Sequence, residues 1–454
     1  MIDTTVVGQA LDSALKELNC CFRREEATVV GIYGTGGIGK TTLLKIFNDE
    51  LISKLVLTTR FEAVCNKMGV GDNKIRVNFM AEDEAWELFK MNCGENKFLS
   101  NARMENIAKR IAAKCGGLPL ALIVIGRALA SKTTIEEWKH AESALRDLRT
   151  LEIDGLQENL LLSLKYSYDN LHPDDKIKET TQKCFLYCCL FPEDYSISKE
   201  QLVEYWVGEG FLDEGFGNDI DRAREKGHSI IGRLKAACLL ERGNDQDEVK
   251  MHDVIREMAR WIANDCTGRE HRFLIRTAGQ RNINFDVDKW SMVERISLIN
   301  IEFPHLPDTT RQWPNLWTLL LYNSGIERIP SGFFLHMGNL QVLDLSYTRI
   351  SELPSGIESL VNLQYLDLSG TNIKLLPKEF GELRRLRQLY LALALPSLEY
   401  LQVIRCPKLK KLPLGPGSAP RLKEINGEQE WWDGLEWDDD QTRQVFAGRF
   451  KKRY

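Results

Sequence analysis

The sequence predicts a multi-domain chain in which a short parallel α/β domain, a helical middle and an α/β solenoid follow one another. Three observations predict it. A glycine-rich strand-to-helix junction lies near the start, amphipathic helical patterns succeed one another from residue 83 to residue 265, and a leucine period of 23 or 24 residues sets in past residue 290. The 454 residues suit about three domains at ~150 residues each. With 43% of them apolar, each domain has ample material for a core.

The run Thr28-Val29-Val30-Gly31-Ile32-Tyr33 reads as a buried parallel strand, and Thr41 to Phe47 reads as an amphipathic helix. Between them stands Gly34-Thr35-Gly36-Gly37-Ile38-Gly39-Lys40-Thr41, followed by Thr42. It matches G-x-x-x-x-G-K-[ST] with a strand before it and a helix after it, the setting that gives the pattern its physical meaning. Glycines permit positive φ and close approach, so successive N–H groups can converge on phosphate oxygens while the helix N-terminus adds partial positive charge. Lys40 would reach the β- and γ-phosphates, and the Thr41 hydroxyl would face Mg²⁺. An ordinary glycine turn needs a Gly or two and has no use for Lys-Thr-Thr.

"SKLVLTTR", Ser53 to Arg60, is a second buried strand ending on a polar triplet, and "FEAVCNKMG" reads as a short helix. Helical patterns then run over Asp83 to Cys93, Asn101 to Cys115, Leu118 to Ala130, Glu136 to Arg149, Leu156 to Leu171, Lys178 to Leu190, Lys199 to Gly208 and Ile220 to Leu239. Val249 to Asp265 opens with a strand-like edge and continues as an amphipathic helix.

Past residue 290, Leu340, Leu343, Leu345, Thr348, Ile350, Leu353 and Pro354 recur 23 residues later as Leu363, Leu366, Leu368, Thr371, Ile373, Leu376 and Pro377. Leu316, Leu319, Leu321, Ile326, Ile329 and Pro330 form the preceding unit. Agreement of period, register and residue type marks a leucine-rich repeat, in which leucines of short strands point into a stacked core. Alternate residues point outward, among them Trp317, Thr318, Leu320, Tyr322, Gln341, Val342, Asp344, Tyr347, Gln364, Tyr365 and Asp367. Singly these are solvated strand residues. As an array, Trp317, Tyr322, Gln341, Tyr347, Gln364 and Tyr365 are candidates for a partner surface. Trp431 and Trp432 are expected to cap the open end of the solenoid, and the basic tail after them to be solvated.

A net charge of −5 gives no basic field, so nucleic acid is not the expected partner. The opening residues lead us to expect neither secretion nor myristoylation, and the apolar stretch Gly117 to Gly126 is too short to span a membrane. Cys184, Cys188 and Cys189 lack a second ligand pair at zinc spacing and read as small core residues. Scattered cysteines fit a reducing, cytoplasmic setting.

With these features in order, the chain resembles the plant disease-resistance proteins of the nucleotide-binding (NB-ARC), leucine-rich-repeat type, most closely the branch with an N-terminal coiled coil. Carrying the resemblance are Val7-Gly8, the loop Gly34 to Thr42, "KLVLTTR", "CGGLPLAL" at Cys115 to Leu122, "CFLYCCLFPEDY" at Cys184 to Tyr195, "LVEYWVGEGF" at Leu202 to Phe211, and Met251-His252-Asp253. The resemblance implies a shortened P-loop α/β nucleotide-binding domain at 27–97 after a lead-in at 1–26. A helical bundle at 98–165, a winged-helix domain at 166–275, repeats at 290–426 and a cap and tail at 427–454 would follow. It also implies an ADP/ATP switch that opens into an oligomer and signals defence. Val7, Gly8, Gly34, Gly36, Gly37, Ile38, Gly39, Lys40, Thr41 and Thr42 would then hold nucleotide and metal. Arg60 would sense the γ-phosphate, Pro119 would pack near the base, and His252 would touch the β-phosphate. A pathogen effector or a guarded host protein would bind the repeats.

Three departures set expectations. Between Lys40 and Leu55 there is room for one helix and a turn, where the family has two further strands and a Walker-B carboxylate, so any hydrolysis should be slow and the sheet edge exposed. The coiled coil is missing from the sequence, and the repeat register breaks after Leu391. A shortened adaptor or decoy, binding partners through its repeats without a nucleotide switch, is the competing expectation.

Overall fold

The computed structural model describes residues 9–23, 29–47, 55–94, 98, 101–147, 156–213, 219–264, 272–275, 292–302, 306, 313–374, 376–377, 380, 382–391, 400–403, 409–412, 414, 419–437 and 439–452. Val7, Gly8 and the segment 48–54 therefore lie outside the described residues. The chain divides into two compact units, one of Met1–Phe185, Ile231–Arg242 and Val249–Ala259, the other of Leu186–Ile230, Gly243–Glu248 and Arg260–Tyr454.

In chain order the first unit begins with α1 (Gln9–Arg23), β1 (Val29–Tyr33), α2 (Lys40–Ile46), β2 (Leu55–Thr59), α3 (Glu62–Lys67) and β3 (Lys74–Arg76). The three strands are parallel in the order β2-β1-β3, with Val29 opposite Leu55 and Ile32 opposite Ile75. Val30 and Ile32 are buried, as a central β-branched strand requires. β2 forms one edge, and Leu55 on it is 61% exposed, with Phe61 and Met68 nearby at 65% and 58%. β3 escapes the sequence reading because its three residues, Lys-Ile-Arg, hold a single apolar side chain.

Then come α4 (Glu82–Cys93), α5 (Ala102–Lys114), α6 (Pro119–Leu129), α7 (Ile135–Asp147), α8 (Leu156–Asp169) and α9 (Asp175–Cys188). Their ends follow local chemistry. The Asn101 side chain accepts from the Met104 N–H to start α5, the Glu84 carboxylate accepts from the Ala81 N–H at α4, and Pro119 opens α6 where a free N–H is not needed. α6 packs between α4 and α8 with Ala121, Leu122, Val124 and Ile125 buried. Cys184, Cys188 and Cys189 are buried in α9 and the turn after it. The remaining elements before the repeats are β4 (Ile197–Ser198), α10 (Lys199–Gly208), α11 (Ile220–Ala236), β5 (Glu241–Arg242), β6 (Glu248–Lys250) and α12 (Asp253–Asn264).

In the second unit, β7 (Phe273–Ile275), β8 (Arg295–Ser297), β9 (Thr318–Leu320), β10 (Val342–Asp344), β11 (Tyr365–Asp367) and β12 (Gln388–Tyr390) form one parallel sheet in sequence order. Leu319, Leu343, Leu366 and Leu389 stand opposite one another and are buried in a continuous leucine core. β7 extends this sheet to before residue 290. Trp431 and Trp432 are buried in the same core, as a cap must be. The tail departs from expectation: β15 (Phe450–Lys452) pairs with β14 (Glu424–Gly427), which pairs with β13 (Tyr400–Val403), and Phe450 stacks on Trp432 at 4.3 Å. An apolar Phe450 that can cover Trp432 outweighs the solvation of its basic neighbours.

The repeat strands are not bare. α10 lies across them, with Leu202 to Gly208 all buried. At Gly208 a Cβ would stand 2.8 Å from Tyr365 Cβ and 2.9 Å from Val342 Cγ2, so the close approach requires glycine. The Tyr205 hydroxyl donates to Asp344, and the Tyr205 and Tyr365 rings meet edge-on at 5.0 Å. Burial raises the pKa of the Asp344 carboxyl, and burial together with Asp344 pushes Asp367 up to about 7. Just past α10, Glu209 receives two bonds from Arg295, at 2.8 and 2.6 Å, and one from the Thr318 hydroxyl. The Arg295 guanidinium lies 5.2 to 5.7 Å from the Phe211, Phe273 and Trp317 ring centres. Arg295→Met should strand a buried carboxylate and cost about 3–5 kcal/mol, read by urea unfolding, and the double variant Arg295→Met/Glu209→Gln should recover most of it. A neutral single variant would show that the pair does not hold α10 to the repeats.

Candidate nucleotide site

β1 delivers the chain to the glycine loop, and α2 leaves from it. Two glycines there have a specific steric reason. A Cβ at Gly36 would fall 2.5 Å from Val254 Cγ2, and one at Gly37 would fall 2.8 Å from Leu120 Cβ, where φ is also +75°. The loop is thus held against the first turns of α12 and α6. Ile38 is buried behind it, and its N–H donates to the Thr35 carbonyl at 3.3 Å. The N–H groups of Gly36, Gly37 and Gly39 donate to no backbone carbonyl among the described residues, and the first turn of α2 brings the N–H groups of Lys40 and Thr41 beside them. This cradle of donors fits an anionic diphosphate.

Lys40 Nζ donates to the Gly34 carbonyl at 2.6 Å and the Thr35 carbonyl at 3.0 Å, turned onto the loop that it serves. Its pKa is lowered by burial and by the neighbouring Arg60, with Asp253 opposing. Arg60, just beyond β2, sends one guanidinium nitrogen to Glu257 and another to Asp253 at 3.4 Å. Burial works against its charge, and Glu257 and then Asp253 raise its pKa above the ordinary value. Asp253 and Glu257 share one face of α12 at i, i+4 spacing. The second Asp253 oxygen is buried and without a partner among the described residues.

His252 precedes α12, half-buried, and its Nδ1 accepts from the Val254 N–H at 3.2 Å. Burial lowers its pKa; Glu241 and Asp253 oppose the shift, while Lys40 and Arg60 add to it. The Leu120 N–H donates to the Gly37 carbonyl at 3.4 Å, which sets Pro119 beside the loop. Four separate stretches, at the loop, Arg60, Pro119 and His252, therefore meet in one corner. Thr41 is exposed at the mouth and Thr42 half-buried behind it. Among the described residues no three His, Cys, Asp or Glu side chains gather as a metal site. Sequence reasoning missed Asp253 and Glu257 as partners of Arg60, although two carboxylates on one turn of a helix beginning beside His252 were there to be asked what cation they face.

On the repeats, Trp317 and Tyr347 remain 40% and 45% exposed. Gln341 and Gln364 are half-buried, and Tyr322 sits between Tyr195 and Tyr347 at 6.4 and 5.4 Å. Tyr365, expected on the open face, is buried under Tyr205, as are Thr318, Leu320, Val342, Asp344 and Asp367 beneath or beside the α10 segment. The sequence pattern could place these residues on the outward face but could not show that the chain itself covers them.

Comparison with known proteins identifies three regions of the chain. A family model for the NB-ARC domain matches residues 48–99, one for the disease-resistance-protein winged-helix domain matches residues 190–259, and one for leucine-rich repeats matches residues 314–373. Disease resistance protein RPS5 of Arabidopsis thaliana is 42% identical over 310 residues, 68% of this chain and 34% of that protein. SUMM2 of the same plant is 44% identical over 312 residues, again 68% of this chain and 34% of that one. RFL1, also from Arabidopsis thaliana, is 33% identical over 502 aligned positions, covering 90% of this chain and 55% of that protein. Those positions outnumber the chain's 454 residues, so segments within RFL1 have no counterpart here. The chain spans about a third of RPS5 and SUMM2 and about half of RFL1.

A lowered His252 pKa makes a pH prediction with a definite sign. The unfolded chain takes up the proton first as pH falls through about 6.5, so the stability that neutral His252 contributes is lost below that value. Thermal unfolding should move to lower temperature between about pH 7.5 and about pH 5.5, and His252→Gln should shrink that displacement. An identical displacement in the variant would remove His252 as its source.

Proposed function

Because the chain belongs to the NB-ARC, leucine-rich-repeat disease-resistance family, we propose that it acts in plant defence as a switch binding ADP or ATP, its repeats sensing a pathogen effector or a guarded host protein. The observation that carries this reading is the convergence of Lys40, Arg60 and His252 on one glycine loop whose Gly36, Gly37 and Gly39 amides donate to no backbone carbonyl among the described residues. The loop amides and Lys40 would hold the diphosphate, and Thr41 would face Mg²⁺ at the mouth. His252, whose Nδ1 already accepts from the Val254 N–H, can as a neutral imidazole lend a hydrogen bond from Nε2 without adding charge. A bound nucleotide supplies three or four negative charges, and exchange between di- and triphosphate changes the field felt by α12 by about one charge without any hydrolysis.

The exposed Trp317 and Tyr347 support a partner surface at the margin of the repeat face. An intracellular setting fits the scattered cysteines, and among the described residues no helix is long and apolar enough to cross a membrane.

Titration of the purified chain with a fluorescent ADP tests the switch. Lys40→Ala should weaken binding by at least about tenfold, about 1.4 kcal/mol, with the fold unchanged by circular dichroism. Equal binding by parent and variant, or none by either, would leave the repeats as a recognition scaffold alone.

A further inference from the structure

Arg60 does not face the loop freely. Its guanidinium is shared between Glu257, 197 residues away in sequence, and Asp253, and all three side chains are between 22% and 31% exposed. Val254, between the two carboxylates in sequence, rests where a Cβ on Gly36 would be, so the acidic face of α12 and the glycine loop are fixed against each other. Lys40 and Arg60 supply two positive charges to this corner, and Asp253 and Glu257 supply two negative ones. These four charges balance one another before any ligand arrives, and Glu241, which acts on His252, adds a further negative charge beside them.

An incoming phosphate chain must compete with those carboxylates for the same guanidinium. A triphosphate brings more negative charge than a diphosphate, so it suffers more from carboxylates that stay and gains more from an arginine that is released. We propose, building on the nucleotide reading above, that Glu257 is a specificity-determining residue: by holding Arg60 it sets the preference of this site for nucleoside diphosphate over triphosphate. Asp253 holds the same guanidinium at the longer distance of 3.4 Å, so Glu257 carries the larger share. Glu257 acts through Arg60 and is a positioning residue. Releasing Arg60 should therefore change the ratio of the two affinities rather than their common level.

The test uses the full chain with fluorescent ADP and a fluorescent, slowly hydrolysed ATP analogue, titrated separately at one salt concentration. Glu257→Gln keeps the size of the side chain and removes its charge. Affinity for the triphosphate should rise about five- to tenfold in this variant while that for the diphosphate changes by less than about twofold. Arg60→Ala should abolish the gain, so the double variant Arg60→Ala/Glu257→Gln should match Arg60→Ala alone. If Glu257→Gln proves unstable, Glu257→Asp, which shortens the reach and keeps the charge, should shift the ratio in the same direction by a smaller factor. An unchanged ratio in the folded variants, or an equal gain for both nucleotides, overturns the role of Glu257 and leaves nucleotide binding standing. Failure of the parent chain to bind either nucleotide overturns the nucleotide reading and this inference together.

Discussion

Two cations, Lys40 and Arg60, share one half-buried corner, and their mutual repulsion is tolerable because α12 brings Asp253 and Glu257 to meet them. Most of the candidate site follows from that constraint. The carboxylates hold α12 at the loop, Val254 then packs on Gly36, and His252 is carried to a place where burial, with Lys40 and Arg60 against Glu241 and Asp253, lowers its pKa. Two cations beside loop amides that donate to no backbone carbonyl among the described residues make a good receptor for an anion. The same logic makes α12 responsive, because any ligand that captures Arg60 withdraws the helix's electrostatic tether.

A second pairing of opposite charges organises the other unit. Glu209 follows an apolar run and is accommodated because Arg295 reaches it with two hydrogen bonds under a cover of aromatic rings. Glu204, inside that run, is met by Arg224 at 2.6 Å. With an arginine brought to each of these carboxylates, α10 can lie on the strands and bury Tyr365, Asp344 and Asp367. The repeat face is therefore partly occupied by its own chain, and Trp317 and Tyr347 stay accessible to others.

The glycine loop between strand and helix, the leucine period and the buried tryptophans past the last unit were legible because each is written in local spacing: glycines before a lysine, leucines at a fixed offset, aromatics at the end. The third strand was not, since Lys74-Ile75-Arg76 owes its place to pairing with Ile32 rather than to any pattern of its own. Nor was the covering of the repeats. "LVEYWVGEGF" reads as buried, but nothing in its spacing names the surface that buries it. The acidic residues within it were the available hint, because a glutamate in an apolar run needs a cation, and Arg224 and Arg295 stand in distant segments. The carboxylates beside Arg60 escaped for the same reason. Long-range pairing is decided by the fold, while periodicity reports only neighbours.

On the proposed function, phosphate capture at the loop and tethering of α12 are one event, because Arg60 serves both. Amide hydrogen exchange on the whole chain, with and without ADP, tests this most directly. The expected result is slower exchange at Gly34 to Thr42 together with a change across Met251 to Glu257 at the same nucleotide concentration. Exchange that stays the same in both segments, or protection of the loop with no response from α12, would contradict it.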